Sequence, residues 1–531
     1  MSDWIDLDAL DSRSAEVVRD VCVVGAGAAG IYAATMLAES GVSTVLLDAG
    51  PRRCVDGAAV GIEAIFDAAV YPAATLGRSF GIGGTTSRWG GALVPHSETD
   101  AQPQDHPKTW RHVVATVSEH SAAVLARLGY PRGPDFDTFA TSEIGPLSSH
   151  LVRNGLRPHC WLHLPVQRKN LVWLLSKKPG SVAGPTTYCN ATACSWRLAP
   201  GADGAARIAE LTAAGRNGNA LLIRARHFLL AAGAIESTRI LLEISQSAVS
   251  TPLLGSADLG HFLGDHLSAP IADVEPCDRD ATSKVFGPRF CGPWMRGFRF
   301  LESTVPADGT RAFAHFIFDN ASPGFALAKE VLAAMQSRRM PNVRGRALAE
   351  GFMDACRLVR DRYMRSRLYL PPGTPAHLQL DIEQRPDWRN CVRLDSSRDA
   401  LGRRKAAINW SITASDEEVF AMTARRFLGG WPTELAGLPK LVPRTLGTTS
   451  SKPHDAYHPV GSCRMGDDSA AVVDLDGRVR GVGNLWLSST AALPTAGTAN
   501  PTFTTLCLAH ELCMTLQRTL AGRVRREAYL L

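Results

Sequence analysis

Residues 19–50 read RDVCVVGAGAAGIYAATMLAESGVSTVLLDAG, and their order of apolar, glycine and acidic positions decides the fold. Residues 21–24 form a short apolar, β-branched run suited to a buried parallel strand. Gly25, Gly27 and Gly30 follow at G-x-G-x-x-G spacing, with Ala28 between them. Ile31, Ala34, Met36 and Leu37 then fit a helix packed on a sheet, ending near Gly41, and residues 45–47 form a second strand closed by Asp48 and Ala49. The glycines supply a tight turn, close approach of backbone to a pyrophosphate, and close helix–strand packing. The helix N-terminus offers unpaired N–H groups and a positive dipole end to phosphates. Asp48 is placed to accept from a ribose hydroxyl and to repel the extra phosphate of NADP. This strand–turn–helix–strand order predicts a dinucleotide site and leaves NAD and FAD both open.

The whole chain sets wider bounds. At 531 residues and 57 kDa it exceeds one ordinary core and predicts two or three domains. It has no uninterrupted apolar stretch of about 18 residues, so no transmembrane helix is expected. The first twenty residues are acidic and polar, without a basic start or apolar core, which predicts a cytoplasmic protein rather than a secreted one. Twelve scattered cysteines without a C-x-x-C pair read as reduced thiols. His454 and His458 have a spacing that a helix could turn toward metal, but the glutamate of HExxH is missing and Pro453 and Pro459 restrict any helix, so no metal is expected.

Between Arg338 and Arg367 stand nine arginines against Glu350, Asp354 and Asp361, which accounts for the chain's entire net charge of +6. Leu348, Phe352, Cys356, Val359 and Tyr363 recur there at helical steps. Two readings stay open: a docked helix with a solvated basic face, or an electropositive patch for an acidic partner or an anionic membrane surface. Nucleic acid is not expected, because no recognition motif accompanies the charge.

Residues 76–95, LGRSFGIGGTTSRWGGALVP, are too rich in glycine for helix or strand and read as backbone closing on a cofactor. From residue 187 the pattern turns to β; it ends in a strand at 228–230, then Ala231, Ala232 and Gly233, then a helix from Ile235 through Leu242. No second G-x-G-x-x-G occurs, so electrons must exchange with something other than a built-in NAD(P)H domain. Residues 270–450 differ in texture. HLQLDIEQRPDWRNCVRLD (377–395) alternates as two antiparallel strands around a Pro-Asp turn, and residues 396–413 continue with another turn and strand. An α+β substrate domain is expected there.

Near the C-terminus, YHPVGSCRMG (457–466) and TAGTANPTFT (495–504) hold His458 and Asn500 among glycines, prolines and small residues. A histidine titrates near neutral pH and an asparagine does not, so the two suit a base and a fixed hydrogen-bond partner.

Taken in order, VVGAGAAG, GGTTSRWGGA, AAGAIESTRILL, LGDHL (263–267) and the two C-terminal phrases resemble the glucose–methanol–choline (GMC) oxidoreductases, flavoproteins that oxidise alcohols. The resemblance spans nearly the whole chain and is nearest the pyranose-oxidase-like, sugar-oxidising branch, whose NPT phrase matches Asn500, Pro501 and Thr502. It implies an α/β fold: a discontinuous Rossmann-like FAD-binding domain (1–100, 185–268 and 451–531) with an inserted α+β substrate-binding domain on an antiparallel sheet (101–184 and 269–450). It implies His458 and Asn500 as the catalytic pair. FAD contacts are expected at Gly25, Gly27, Ala28, Gly30, Asp48 and Ala49; at Gly83, Gly84, Thr85, Trp89, Gly90, Gly91 and Ala92; and at Ala193, Ala232, Gly233, Ser489, Pro501 and Thr502. Arg88 stands where some members carry a flavin-linked histidine, so noncovalent FAD is expected. Ser489 stands where many have Asp or Gly. The implied partners are a small-molecule alcohol, in a sugar, amino-sugar or polyol class, and oxygen or another electron acceptor. A non-redox flavin-containing lyase, or an oxidase of aliphatic, aromatic or sterol alcohols, is the alternative.

Overall fold

A computed structural model describes residues 4–528, apart from 12, 68, 103–104, 131–135, 177–183, 202–204, 248–255, 305, 307, 344, 433–434 and 436. Its first sheet has eight strands among the described residues. At the centre, Ser14–Val24 runs parallel to Ala220–Leu230 on one side and to Thr44–Leu47 on the other. Thr186–Cys189 and Trp4–Asp6 extend it in parallel beyond Thr44–Leu47. Leu485–Leu487 joins parallel to Ala220–Leu230, while Ala206–Ala214 and Thr192–Pro200 add an antiparallel meander. Val21, Cys22 and Val23 are fully buried, as expected of a parallel strand covered on both faces. Helix α1 (Ala28–Glu39) returns the chain from Ser14–Val24 to Thr44–Leu47. Helix α2 (Gly233–Gln246) follows Ala220–Leu230 in the same way.

The second sheet has nine strands, all antiparallel where paired, ordered 441–443, 266–274, 376–383, 312–318, 294–302, 156–163 and 92–93, with two short strands alongside. Its strands alternate, apart from a bulge between Pro270 and Ala272. Leu162, Phe298, Phe300, Phe316, Leu378, Leu380 and Ile382 are buried on one face. There Phe286, Phe300, Phe316 and Trp431 pack with ring centroids 5.1–6.2 Å apart. The opposite face carries polar and aromatic side chains and turns toward the first sheet's loops.

Two expectations are corrected here. The strands around the Pro-Asp turn do not pair with each other. Ala376–Glu383 lies between 266–274 and 312–318, whereas Cys391–Arg398 pairs with Arg404–Asn409 in a third, three-stranded sheet. The turn is real, with Asn390 N–H on Asp387 O at 3.1 Å, but Leu263 and Gly260 bind its far side and lead the chain into the other sheet. Burial of Leu378, Leu380 and Ile382 decides the partner, because only neighbours in the large sheet continue their apolar face.

The second correction concerns the basic helix. Helices α3 (Pro323–Ser337) and α4 (Gly345–Met364) form a hairpin that crosses at two glycines: a Cβ on Gly324 would lie 2.4 Å from Asp354 Cβ, and one on Gly351 would lie 3.2 Å from Gly324 Cα. The docked face therefore carries small residues, and Phe352, Cys356, Val359 and Tyr363 are exposed. Arg344 and the side chains of Arg346, Leu348 and Glu350 lie outside the described residues.

Gly30 makes the closest contact in the first crossover, since a Cβ there would fall 1.8 Å from Gly25 O. Gly30→Ala is expected to lower unfolding free energy by about 3 kcal/mol, read by urea denaturation; an unchanged midpoint would remove this contact from the account.

Candidate active site

Five parallel strands end on the same side of the first sheet, at Val24, Leu47, Cys189, Leu230 and Leu487. Ligands bind beyond the carboxyl ends of such strands because the chain must turn there with small residues and free amides. A cleft of about 660 Å³ opens at this edge, within the range of roughly 300–1,000 Å³ typical of small-molecule and cofactor sites.

The cleft has three stretches. Gly25, Gly27, Ala28, Asp48, Ala49, Ala193, Ala232 and Gly233 line the first, Gly84, Thr85 and Trp89 to Ala92 (Gly90 and Gly91 between them) the second, and His458, Ser489, Asn500, Pro501 and Thr502 the third. Gly30 and Gly83 are not on its wall. Gly30 packs on Gly25 beneath the turn, and Gly83, at φ +112°, has no room for a Cβ beside Asn170 Oδ1.

The first stretch fits a dinucleotide. Positions where a Cβ of Gly27 or Gly233 would stand have no atom within 4 Å, so the backbone there faces open space. Gly27 caps α1 without a side chain, which leaves the first-turn amides to a ligand. The loop closes tightly on this turn, with the Cβ position of Gly84 only 2.9 Å from Gly27 Cα. Asp48 has a part beyond the one its position suggested. Its carboxylate accepts from Ala26 N–H at 2.8 Å, Gly50 N–H at 2.9 Å and Gly81 N–H at 2.8 Å, binding the glycine turn to the following loop. Burial pushes its pKa up and the three amides pull it down, with burial prevailing. A carboxylate has about four acceptor positions, so roughly one is left for a ribose hydroxyl. Arg88, also on the cleft wall, pairs with Asp56 at 2.6 Å and donates to Arg78 O.

At the far end His458 Nε2 lies 3.1 Å from Asn500 Nδ2, and His458 Nδ1 lies 3.0 Å from His266 Nδ1. His266 Nε2 lies 3.0 Å from the Gly497 carbonyl, which can only accept. His266 must therefore carry its proton on Nε2 and accept at Nδ1, so His458 donates from Nδ1 and keeps a lone pair on Nε2. Asn500 Nδ2 donates one N–H to that lone pair and has a second to give. Burial lowers the pKa of His458 to about 4 and that of His266 to about 3, so both are neutral at physiological pH. A neutral imidazole whose unprotonated Nε2 lies on the cleft can take a proton once a ligand hydroxyl displaces the Asn500 N–H.

Asp265, absent from the sequence-based candidates, aligns this pair. It accepts from His266 N–H at 2.7 Å, His458 N–H at 2.9 Å and Tyr71 Oη at 2.5 Å. Burial raises its pKa to about 7. The loop before Asn500 is held by further buried acids. Glu383 accepts from Thr495 Oγ1 at 2.6 Å, and Asp100 accepts from Thr498 N–H at 2.7 Å. Asp265 and His266 stand side by side in LGDHL, and this adjacent acid and histidine pair was the signal by which the sequence could have revealed them.

Residues 386–509 match the family described as GMC oxidoreductase, and residues 19–65 match the FAD binding domain. The oxygen-dependent choline dehydrogenases of Proteus mirabilis (strain HI4320) and Yersinia pseudotuberculosis serotype O:1b (strain IP 31758) are 42% and 46% identical over 57 residues, 11% of this chain and 10% of each relative. The match thus spans about a tenth of those relatives' length. Pyridoxine 4-oxidase from Mesorbium loti shares the fold, with TM-score 0.55 and 17% identity over 94% of this chain and 99% of that one. Residues 386–509 are thus similar to GMC oxidoreductases and residues 19–65 to an FAD-binding domain, with FAD as the implied cofactor.

Asp265→Ala is expected to unfold about 2–4 kcal/mol more easily, because buried amides lose their acceptor, while Asp265→Asn keeps one. With the native pKa near 7 and the unfolded value near 4, the folded state retains a proton the unfolded chain releases. That group weakens the fold as pH rises from about 4 to 7. Denaturant titrations should therefore show Asp265→Asn gaining on the wild type across that interval; a constant difference would contradict the assignment.

Proposed function

We propose that this protein is an FAD-dependent oxidoreductase that oxidises a CH–OH group to a carbonyl, with His458 as base and Asn500 as hydrogen-bond partner. The reading is carried by the fixed tautomer of His458, whose Nε2 lone pair is held on the cleft wall by the hydrogen bond from Nδ1 to His266. Bound noncovalently, FAD supplies the acceptor for the hydride leaving the substrate carbon. It would be held by the Gly25–Ala28 turn, Asp48, Ala49, the loop from Gly84 to Ala92, Ala193, Ala232, Gly233, Ser489, Pro501 and Thr502. In this division, segments 1–100, 185–268 and 451–531 hold the cofactor, and 101–184 with 269–450 shape the substrate side.

An alcohol entering beside the pair displaces the Asn500 N–H from His458 Nε2 and donates its hydroxyl hydrogen there, while Asn500 donates to the alcohol oxygen. As the C–H bond breaks, the proton resides on His458, and His266 Nδ1 stabilises the resulting cation by accepting from Nδ1. General-base help of this kind is worth about 10²–10⁴-fold, and fixing the oxygen contributes through alignment.

The polar face of the second sheet supports a substrate with several hydroxyl or amino groups. Trp161 and His163, Phe313 and His315, Gln379 and Asp381, and His266 and Ser268 alternate onto that face from four strands. His163 reaches the Gly90 loop at one side, within 3.8 Å of where a Gly90 Cβ would stand, and His266 reaches His458 at the other. A sterol or long aliphatic alcohol offers no hydrogen-bonding partner to the polar groups of that face, whereas a polyhydroxylated one does. A sugar or amino-sugar hydroxyl is therefore the proposed substrate class.

His458→Ala with FAD bound should reduce flavin about 10²–10⁴-fold more slowly in anaerobic stopped flow, and Asn500→Ala should slow it by about tenfold or more without loss of FAD. Because the base must be neutral and its pKa is about 4, the wild-type rate should be flat from pH 8 to about 5 and fall below that. Wild-type reduction in His458→Ala, or substrate turnover without flavin bleaching, would overturn the reading, the second in favour of a lyase. Acid precipitation should release all the flavin into the supernatant; yellow protein in the pellet would contradict noncovalent binding.

A further inference from the structure

The α3–α4 hairpin presents its apolar side chains outward. At 100° per residue, Phe352, Cys356, Val359 and Tyr363 share one stripe of α4, while Gly351 and buried Asp361 face the opposite side, toward the protein. Phe352, Val359 and Tyr363 are 67%, 58% and 78% exposed, with Met353 and Met364 exposed beside them and Met340, at 87%, in the connection. From Phe352 to Met364 the stripe runs roughly 18 Å. Arg360 and Arg362 flank it, and Arg357 and Arg365 lie farther round the helix with half-exposed side chains, Asp361 being shared by Arg360 and Arg365. The segment around them carries the whole net charge of the chain.

A stripe of this size on a monomer surface calls for a covering partner. A second copy would bring one basic hairpin against another. A protein groove that took this helix would have to be apolar along its floor and acidic along its rims to meet the arginines. A layer of anionic headgroups over acyl chains meets both requirements at once, accepting the arginines at the level where the Phe, Val and Tyr side chains enter. No helix among the described residues is long and apolar enough to cross a membrane, so such contact lies in the interface.

We propose that α4 is an interfacial helix that seats the protein on an anionic lipid bilayer through Phe352, Val359 and Tyr363, with Arg360 beside them at the headgroups and the half-exposed Arg357 and Arg365 reaching toward the lipid surface from farther round the helix. The surface adjoins the site. Gln336 Nε2, at the end of α3, donates to Thr86 O at 3.0 Å and Trp89 O at 2.8 Å, and Ser337 Oγ donates to Ser87 O at 2.9 Å. A seated hairpin would thus hold the cofactor loop near the lipid surface.

The test is flotation of the full-length, FAD-loaded chain with vesicles of phosphatidylcholine alone or with about 30% phosphatidylglycerol. Anionic vesicles are expected to carry at least tenfold more protein, falling severalfold at 0.5 M salt. F352S/V359S/Y363S should lose that binding tenfold or more with flavin absorbance and melting temperature unchanged. R357Q/R360Q/R365Q should lose the preference for phosphatidylglycerol; if the first variant fails to fold, this one decides. Equal recovery with and without anionic vesicles, or arginine variants that keep the wild-type preference, would overturn the proposal. So would a wild-type dimer that F352S/V359S/Y363S converts to monomer, which would assign the stripe to a second copy.

Discussion

One buried carboxylate holds together three segments that lie far apart in the chain. Asp265 accepts from the hydroxyl of Tyr71 and from the backbone amides of His266 and His458. The first lies ahead of the glycine-rich loop, the second opens a central strand of the large antiparallel sheet, and the third belongs to the C-terminal segment. Neither histidine is placed by its own side chain alone. Each backbone is fixed by an oxygen of the same group, so the distance between the two rings is set by a single atom. A low-dielectric surround strengthens these bonds and makes their loss costly.

Much of the fold was legible because its signals are local. The strand, glycines and helix of 21–41 were each readable within a few residues, and the structure has Ser14–Val24 and α1 there. The contacts among distant segments were not legible. Nothing near residue 383 says that Ala376–Glu383 will pair with 266–274 rather than with its neighbour across the turn, because that choice is made by an apolar face assembled from five strands. The helical periodicity of 348–363 was genuine, yet its apolar stripe faces outward, since two glycines gave α3 a closer approach on the other side. Period reports that a helix is amphipathic and leaves open which side is covered.

The site divides in the same way. His458 and Asn500 stood out for their chemistry and surroundings, and the structure brings them within 3.1 Å. His266 was present in a quoted phrase, but its contribution is a proton position on a neighbouring ring, which depends on a carbonyl at residue 497. Asp48 shows the converse. Its place after the second strand suggested a ligand, while three backbone amides occupy most of its acceptors. A motif gives the address of a side chain, and the hydrogen-bond inventory around it determines how much of it remains free.

The hydrogen bonds from Gln336 and Ser337 to the carbonyls of Thr86, Ser87 and Trp89 have a thermodynamic meaning. They join the outer hairpin to the loop over the cleft by three bonds, two of them from one amide. If loading the cleft orders that loop, it must order the hairpin's attachment to the same degree. By reciprocity, any influence that steadies the hairpin tightens the hold on the cofactor by an equal factor. Cofactor retention and the state of a surface outside the cleft are therefore one coupled equilibrium, measurable from either end.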